Sequence, residues 1–229
     1  MPKSSFNAFG AKAKNYGSNV PVWLGVPTPV PVGGTLASAA CIAGALYGAG
    51  FPVKLASKTI TPFIGWEVVS FTAAVSPATE DVVVVKPVVL GKVTVAPAVG
   101  DFIQKVGATF ATTGKAAEVT ASTLLTSGDN EGCYEVKVLH SATIDTPSAG
   151  DVITISAAED AGSSKSIKVI PTGYLWNDIY FGDLESNLAA TGAVIEFAPD
   201  GILIDLTPAA AVKAQMKAAV PGVYQQSNA

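Results

Sequence analysis

The residues of this chain that could carry chemistry are one histidine and a small group of carboxylates. His140 is the only histidine, which excludes a metal site with two histidine ligands, and no G-x-S-x-G motif accompanies it. Because "VKVLHSATID" has a strand pattern, we expect His140 to be a structural or surface residue. Asp178, Asp183 and Glu185 could together hold calcium, but their spacing does not match an EF-hand loop. The aromatic residues between them favour a packed loop.

The cysteines and glycines give no stronger signal. Cys41 and Cys133 are too few and too far apart for a disulfide framework or a C-x-x-C metal site, and Cys41 is expected to be a small buried residue. The glycines at 44, 48 and 50 lack the spacing of a nucleotide-binding loop, and "SGDNEG" is explained as a turn. We therefore expect no catalytic residue, no metal site and no cofactor, and predict that the protein is not an enzyme.

Composition narrows the class of protein. Only 14% of the 229 residues are charged, against about 25% in a typical domain. All fourteen basic residues are lysine and the net charge is −4, so we expect no nucleic-acid partner, since arginine is favoured for phosphate and guanine recognition. The shortage of charge, together with abundant Ala, Val, Gly, Thr and Pro, favours a β-rich assembly protein.

No charged residue occurs between Lys14 and Lys54. The best candidate membrane span in this stretch, Thr35–Phe51, is mostly Ala and Gly and has seventeen residues, the lower limit for crossing a bilayer. We expect no membrane insertion, and predict instead that the segment packs inside the protein or against another chain. The prolines at 27, 29 and 31 would block one edge of a strand. That strand could be an edge of its own domain or an arm that adds to a partner's sheet.

The chain divides into three predicted regions, and the predicted fold class is mainly β. Residues 1–56 form an extended N-terminal arm and an uncharged Ala/Gly/Pro-rich assembly segment. Residues 57–170 alternate β-branched runs with turn clusters, which predicts a β-sandwich or barrel. Residues 171–229 contain a predicted hairpin at 191–206 with its turn at "PDG", and then a short helix that begins at Thr207 and stops at Pro221–Gly222.

A faint internal repeat lies in the middle region. The pattern P-x-x-G-D-x-I occurs at Pro97–Ile103 and again, fifty residues later, at Pro147–Ile153. Two copies are too few for a solenoid. They predict two equivalent corners of one barrel or sandwich, each turning the chain before an inward-facing strand.

The C-terminal words "GYLWNDIYFGD", "ATGAVIEFAPDGILID" and "TPAAAVKAQMKAAVPGVY" resemble the end of head fibre proteins of tailed bacteriophages, including those of crAss-like phages. The resemblance covers roughly the last sixty residues. The matching positions are Tyr174, Trp176, Asn177, Asp178, Gly192, Ala193, Gly201, Ile202, Asp205, Thr207, Met216, Lys217, Val220, Pro221 and Gly222.

This resemblance implies a structural virion protein on the outside of a phage capsid. It would bind the major capsid protein and assemble with itself as a homotrimer or homodimer. A second fibre protein or a host glycan could bind on top. The alternative is a carbohydrate-binding β-module, with Trp23, Trp66 or Trp176 as stacking platforms, although tryptophans are more often core or interface anchors. A small membrane-inserted phage protein is a third reading.

Overall fold

A computed structural model of the chain describes residues 34–41, 46–47, 51–75, 79–87, 96–140, 144–176, 179–180, 191–192, 194–195, 203–205 and 225–227. Apart from one 3-10 turn at Ser38–Ala40, these residues form strands and connections. The first ten strands are β1 (Gly34–Leu36), β2 (Leu46–Tyr47), β3 (Pro52–Ala56), β4 (Thr59–Pro62), β5 (Gly65–Thr72), β6 (Glu80–Pro87), β7 (Phe102–Lys105), β8 (Gly114–Leu124), β9 (Tyr134–Leu139) and β10 (Val152–Ile155). The remaining strands are β11 (Gly162–Lys165), β12 (Gly173–Leu175), β13 (Ile179–Tyr180), β14 (Thr191–Gly192), β15 (Val194–Ile195), β16 (Leu203–Asp205) and β17 (Gln225–Ser227).

Strands β5 to β10 form a closed antiparallel barrel. The order around the barrel is β5, β6, β9, β8, β7, β10, and the β8–β9 pairing completes the ring. The strands β7, β8 and β9 are consecutive neighbours and β10 returns beside β7, which is a Greek-key arrangement. Closure leaves no free strand edge in the ring. The prediction of a mainly β protein with a sandwich or barrel in its middle is confirmed, and the architecture is a barrel.

The barrel interior is filled by apolar side chains that alternate along the strands. Val83 and Val85 of β6 point into the core and are fully buried, while Val82 and Val84 are only half-buried. The core residues are Trp66, Val68, Val83, Val85, Ile103, Ala117, Val119, Val136, Val138, Ile144 and Ile153. Burying one Val or Ile side chain contributes about 1.5–3 kcal/mol, so this cluster is a main source of stability.

The barrel has an internal pseudo-two-fold symmetry that relates β5, β6 and β7 to β8, β9 and β10. Val83 pairs with Val136 on one side of the barrel, and the other β6–β9 pairs are placed symmetrically about them. On the opposite side of the barrel, Gln104 of β7 pairs with Thr154 of β10, and the pairs on either side of it are again exchanged by the two-fold. Register shifts also fall at matching places, one in β5 after Val68 and one in β8 after Val119.

The two P-x-x-G-D corners are equivalent in detail. Gly100 and Gly150 have φ values of 91° and 86°, in the left-handed region that favours glycine. The Asp101 carboxylate accepts a hydrogen bond from the Ala98 amide, as that of Asp151 does from the Ser148 amide. The first corner exchanges backbone hydrogen bonds with Val119 and the second does so with Val68, all at 2.8–2.9 Å. The repeat therefore marks two symmetry-related corners of one barrel, as the sequence predicted.

A second, six-stranded sheet has the order β14, β1, β4, β3, β12, β15, with only the β1–β4 pair parallel. The β3–β4 hairpin turns at Ser57–Lys58, where both φ values are positive, as a type I′ turn requires. This sheet has its own core cluster, which contains Leu36, Tyr47, Phe51, Val53, Ile60, Leu175 and Ile179. The large apolar residues Leu36, Tyr47, Phe51 and Val53 of the uncharged stretch are therefore buried within the protein. No helix among the described residues has the length and apolar character to cross a membrane.

Several predicted features have a different outcome or lie outside the described residues. The predicted boundary between residues 56 and 57 falls on the turn of the β3–β4 hairpin, and β12 pairs with β3, so the first and third predicted regions share one sheet. Of the predicted hairpin at 191–206, the described pairings join β15 to β12 and β16 to β17, not to each other. Residues 1–33 of the predicted N-terminal region 1–56, and the predicted helix that begins at Thr207 and stops at Pro221–Gly222, lie outside the described residues.

Replacing either corner glycine by alanine tests the equivalence of the corners. A Cβ at Gly100 or Gly150 would meet no atom within 4 Å, so the cost comes from the left-handed backbone alone. We expect Gly100→Ala and Gly150→Ala to lower the free energy of unfolding by similar amounts, about 1–2 kcal/mol each, measured by urea denaturation. A large loss in one variant with none in the other would contradict the symmetry.

Candidate binding cleft

The two ends of the barrel are distinguished by the strands that begin there. One end, called here the cleft end, carries the starts of β5, β7 and β9 and the first corner. The opposite end, called the filled end, carries the starts of β6, β8 and β10 and the second corner. The pseudo-two-fold exchanges the ends, so any difference between them is a departure from symmetry.

The cleft end opens into a cavity of about 320 Å³. Its floor is apolar and includes Ile64, Trp66 and Ile155, all of which belong to or pack against the barrel core. One wall consists of residues 39–41, at the 3-10 turn, and of residues 61–62 in β4 of the six-stranded sheet. The opposite wall carries the first corner.

The polar groups in this cleft are few. Asp101 of the corner and Lys168 are its charged residues. Thr61 and Thr154 add hydroxyl groups, and that of Thr154 already donates to the Ile64 carbonyl at 2.6 Å. Lys168 is exposed, and its backbone amide is held by the Ile155 carbonyl at 2.9 Å. An apolar cleft with a small number of fixed polar groups is typical of a binding site.

Cys41 lines the same cleft and is half-buried. Burial raises the pKa of its thiol to about 11, and a hydrogen bond with the Tyr47 side chain acts in the opposite direction. A thiol with a raised pKa is a weak nucleophile, since the thiolate is the reactive form. Cys41 therefore contributes apolar wall to the cleft and little chemistry.

At the filled end, part of the connection between β9 and β10 packs against the barrel core. Ile144 is buried in the barrel core, and Asp145 accepts a hydrogen bond from the Lys115 amide at 3.1 Å. The Lys105 ammonium lies 2.7 Å from the Asp151 carboxylate. The connection between β9 and β10 is thus tied to the barrel by an apolar residue and by charged contacts.

Exposed apolar side chains also collect at the cleft end. Val99, Leu124 and Ile170 are 66%, 49% and 37% exposed, and Val75, at the filled end, is 78% exposed. Val99 follows Ala98 and Ile170 follows Val169, and both preceding residues line the cleft. Exposed apolar surface beside a cleft is a feature of protein-binding sites.

His140, the only histidine of the chain, does not line this cleft. His140 follows β9, and its Nδ1 lies 2.8 Å from Oδ1 of the fully buried Asp81. The same Asp81 oxygen accepts a hydrogen bond from the Ala74 amide, so the pair ties the β5–β6 connection to the end of β9. No group of His, Cys, Asp and Glu in the described part of the chain could hold a metal ion. Asp178, Asp183 and Glu185 lie outside that part.

The tryptophans differ in accessibility. Trp66 lines the cleft but is only 1% exposed, which leaves little of its ring for stacking against a sugar. Trp176 is half-buried, and Trp23 lies outside the described residues. "SGDNEG" forms the connection between β8 and β9, with Gly128 and Gly132 in the left-handed region.

Sequence reasoning did not identify Asp101 as a cleft residue, although the signal was present. Aligning the two repeats places "DFIQK" over "DVITI", and in this alignment Lys105 stands opposite Ile155. A charged residue in one copy and an apolar residue in the other indicates that the two corners have different surroundings.

Comparisons with known proteins add no relative. No protein-family model, no curated protein and no solved structure matches this chain.

The raised pKa of Cys41 predicts slow alkylation. At pH 8 its thiolate fraction is roughly 100-fold lower than that of a thiol with the ordinary pKa of 9.0, so iodoacetamide should label it slowly, with a rate that rises tenfold per pH unit up to about pH 10. Mass spectrometry of the native protein, with the urea-unfolded protein as control, measures this rate. Equal labelling of Cys41 in the native and unfolded protein would contradict the burial described.

Proposed function

We propose that this chain is a structural virion protein, a head fibre or decoration protein that binds the outside of a phage capsid as a homo-oligomer. In this proposal the barrel is a rigid support and its cleft end is the surface that binds another protein. The protein has no catalytic role, no cofactor and no nucleic-acid partner. Its main partners are the major capsid protein and further copies of itself.

The observation that carries the proposal is the gathering of apolar surface at one end of the barrel. Three of the four large exposed hydrophobic side chains in the described part of the chain, Val99, Leu124 and Ile170, lie at the end that also holds the cleft. A protein whose charged residues make up only 14% of the sequence has few surface groups to oppose association at such a patch. The resemblance of the C-terminal words to phage head fibre proteins supports the virion as the place of that association.

Co-sedimentation with assembled capsids tests the proposal. The chain would be produced together with the major capsid protein of the same phage, and capsids would be collected by centrifugation. We expect the wild-type protein to sediment with the capsids, and Val99→Ser/Ile170→Ser to lose about tenfold or more of this binding, because each buried apolar side chain contributes about 1.5–3 kcal/mol. Light scattering of the purified protein should give the mass of a dimer or trimer.

Val75→Ser is the matched control, because Val75 is also an exposed apolar residue but lies at the filled end. It should leave capsid binding and oligomer mass unchanged. Urea denaturation checks that the three positions contribute little to folding. Failure of the wild-type protein to bind capsids, or an equal loss in Val75→Ser, would overturn the proposal.

A further inference from the structure

The two ends of the barrel differ at one position that carries a charge. The pseudo-two-fold places Asp101 opposite Asp151, Ile155 opposite Lys105, and Ala96 opposite Thr146. The two aspartates serve the same corner geometry. Lys105 has no counterpart in the other half, where Ile155 stands at the equivalent position. The corner aspartate at the filled end therefore has a neighbouring ammonium group that its counterpart at the cleft end lacks.

At the filled end, this lysine makes two contacts. Lys105 Nζ lies 2.7 Å from Asp151 Oδ2 and donates a hydrogen bond to the Thr146 carbonyl at 3.4 Å. Its side chain is 27% exposed and that of Asp151 is 26% exposed, so the ion pair is largely covered by the barrel. A carboxylate in this environment is well placed to bind an ammonium ion.

At the cleft end, the equivalent residues Asp101 and Ala96 line an open cleft. Asp101 accepts a hydrogen bond from the Ala98 amide at 3.1 Å, and within the described residues no cation lies within 4 Å of its carboxylate. Ile155 lines the same cleft and takes the place of the lysine stem. The cleft therefore offers a carboxylate beside apolar surface. Lys168, the other charged residue of its lining, makes no ion pair within 4 Å with Asp101.

We propose that the cleft binds a lysine side chain of a partner protein, with its ammonium on Asp101 and its aliphatic stem against Ile64 and Ile155. Charge complementarity selects this occupant, because the equivalent carboxylate in the other half of the same barrel is bound by a lysine. The inference deepens the proposed function, on which it rests for the existence of a protein partner. It assigns that partner a lysine among apolar residues at the contact.

Nuclear magnetic resonance titration with Nα-acetyl-lysine methylamide tests the lysine site, and the norleucine analogue is the uncharged control. We expect the lysine compound to shift the amide resonances of Gly100, Asp101 and Ile155 saturably, and the norleucine compound to bind about tenfold more weakly or not at all. Equal shifts with both compounds, or none with either, would overturn the proposal.

Asp101→Asn should abolish the difference between the two compounds, because it removes the charge and keeps an oxygen for the Ala98 amide. Asp151→Asn, at the filled end, should leave binding unchanged. Lys168→Ala tests whether the cleft's own lysine already occupies Asp101. If the lysine compound binds this variant but not the wild-type protein, Lys168 is the cation of Asp101 and the proposal is overturned.

Ile155→Lys places a lysine where the other half has Lys105, and should fill the cleft and prevent binding of the lysine compound. If this variant does not fold, the Asp101→Asn titration still tests the lysine site.

Capsid co-sedimentation distinguishes a failure of the proposed virion role from a failure of the cleft inference. Lysine binding without capsid binding would leave the cleft inference standing and remove the virion role, and equal capsid binding by wild type and Asp101→Asn would overturn the cleft inference alone.

Discussion

The pairing of β8 with β9 is the constraint on which the rest of the structure depends. It joins the two edges of a six-stranded sheet and so closes the ring, and closure brings Val119 and Val138 into one core with Val83. Without this pairing, β8 and β9 would expose unpaired backbone groups, and core residues on these strands would face water. The corners, the ends of the barrel and the cleft all take their positions from the closed ring.

Symmetry within the ring explains why the barrel can have two different ends. Most core positions are occupied by pairs of similar residues, such as Ile103 with Ile153 and Val85 with Val138. Trp66 is the exception, because its partner by symmetry is Ala117. A large residue at one end and a small one at the other keeps the total core volume while changing the shape of each end. The exchange of Lys105 for Ile155 then changes the charge as well.

Part of this fold could be predicted from the sequence because its signals are local. Runs such as "EDVVVVKP" predict strands by their β-branched residues, and the two P-x-x-G-D motifs predict equivalent corners through the conformation that glycine allows. The long-range pairings carry no such local signal. The β3–β12 pair joins residues more than one hundred positions apart, and for this reason the predicted boundary at 56/57 cuts through a sheet. The contact between Asp81 and His140 likewise depends on the β6–β9 pairing.

Native-state hydrogen exchange at two symmetry-related amides tests the central claim most directly, namely that two equivalent halves form one closed, cooperative barrel. The Val68 amide donates to the Asp151 carbonyl at 2.8 Å, and the Val119 amide donates to the Asp101 carbonyl at 2.9 Å. The structure predicts that both amides exchange only through global unfolding, with free energies that agree with each other and with the value from denaturant. A much lower free energy at one of the two amides would show that one half opens by itself, and would contradict the closed symmetric barrel.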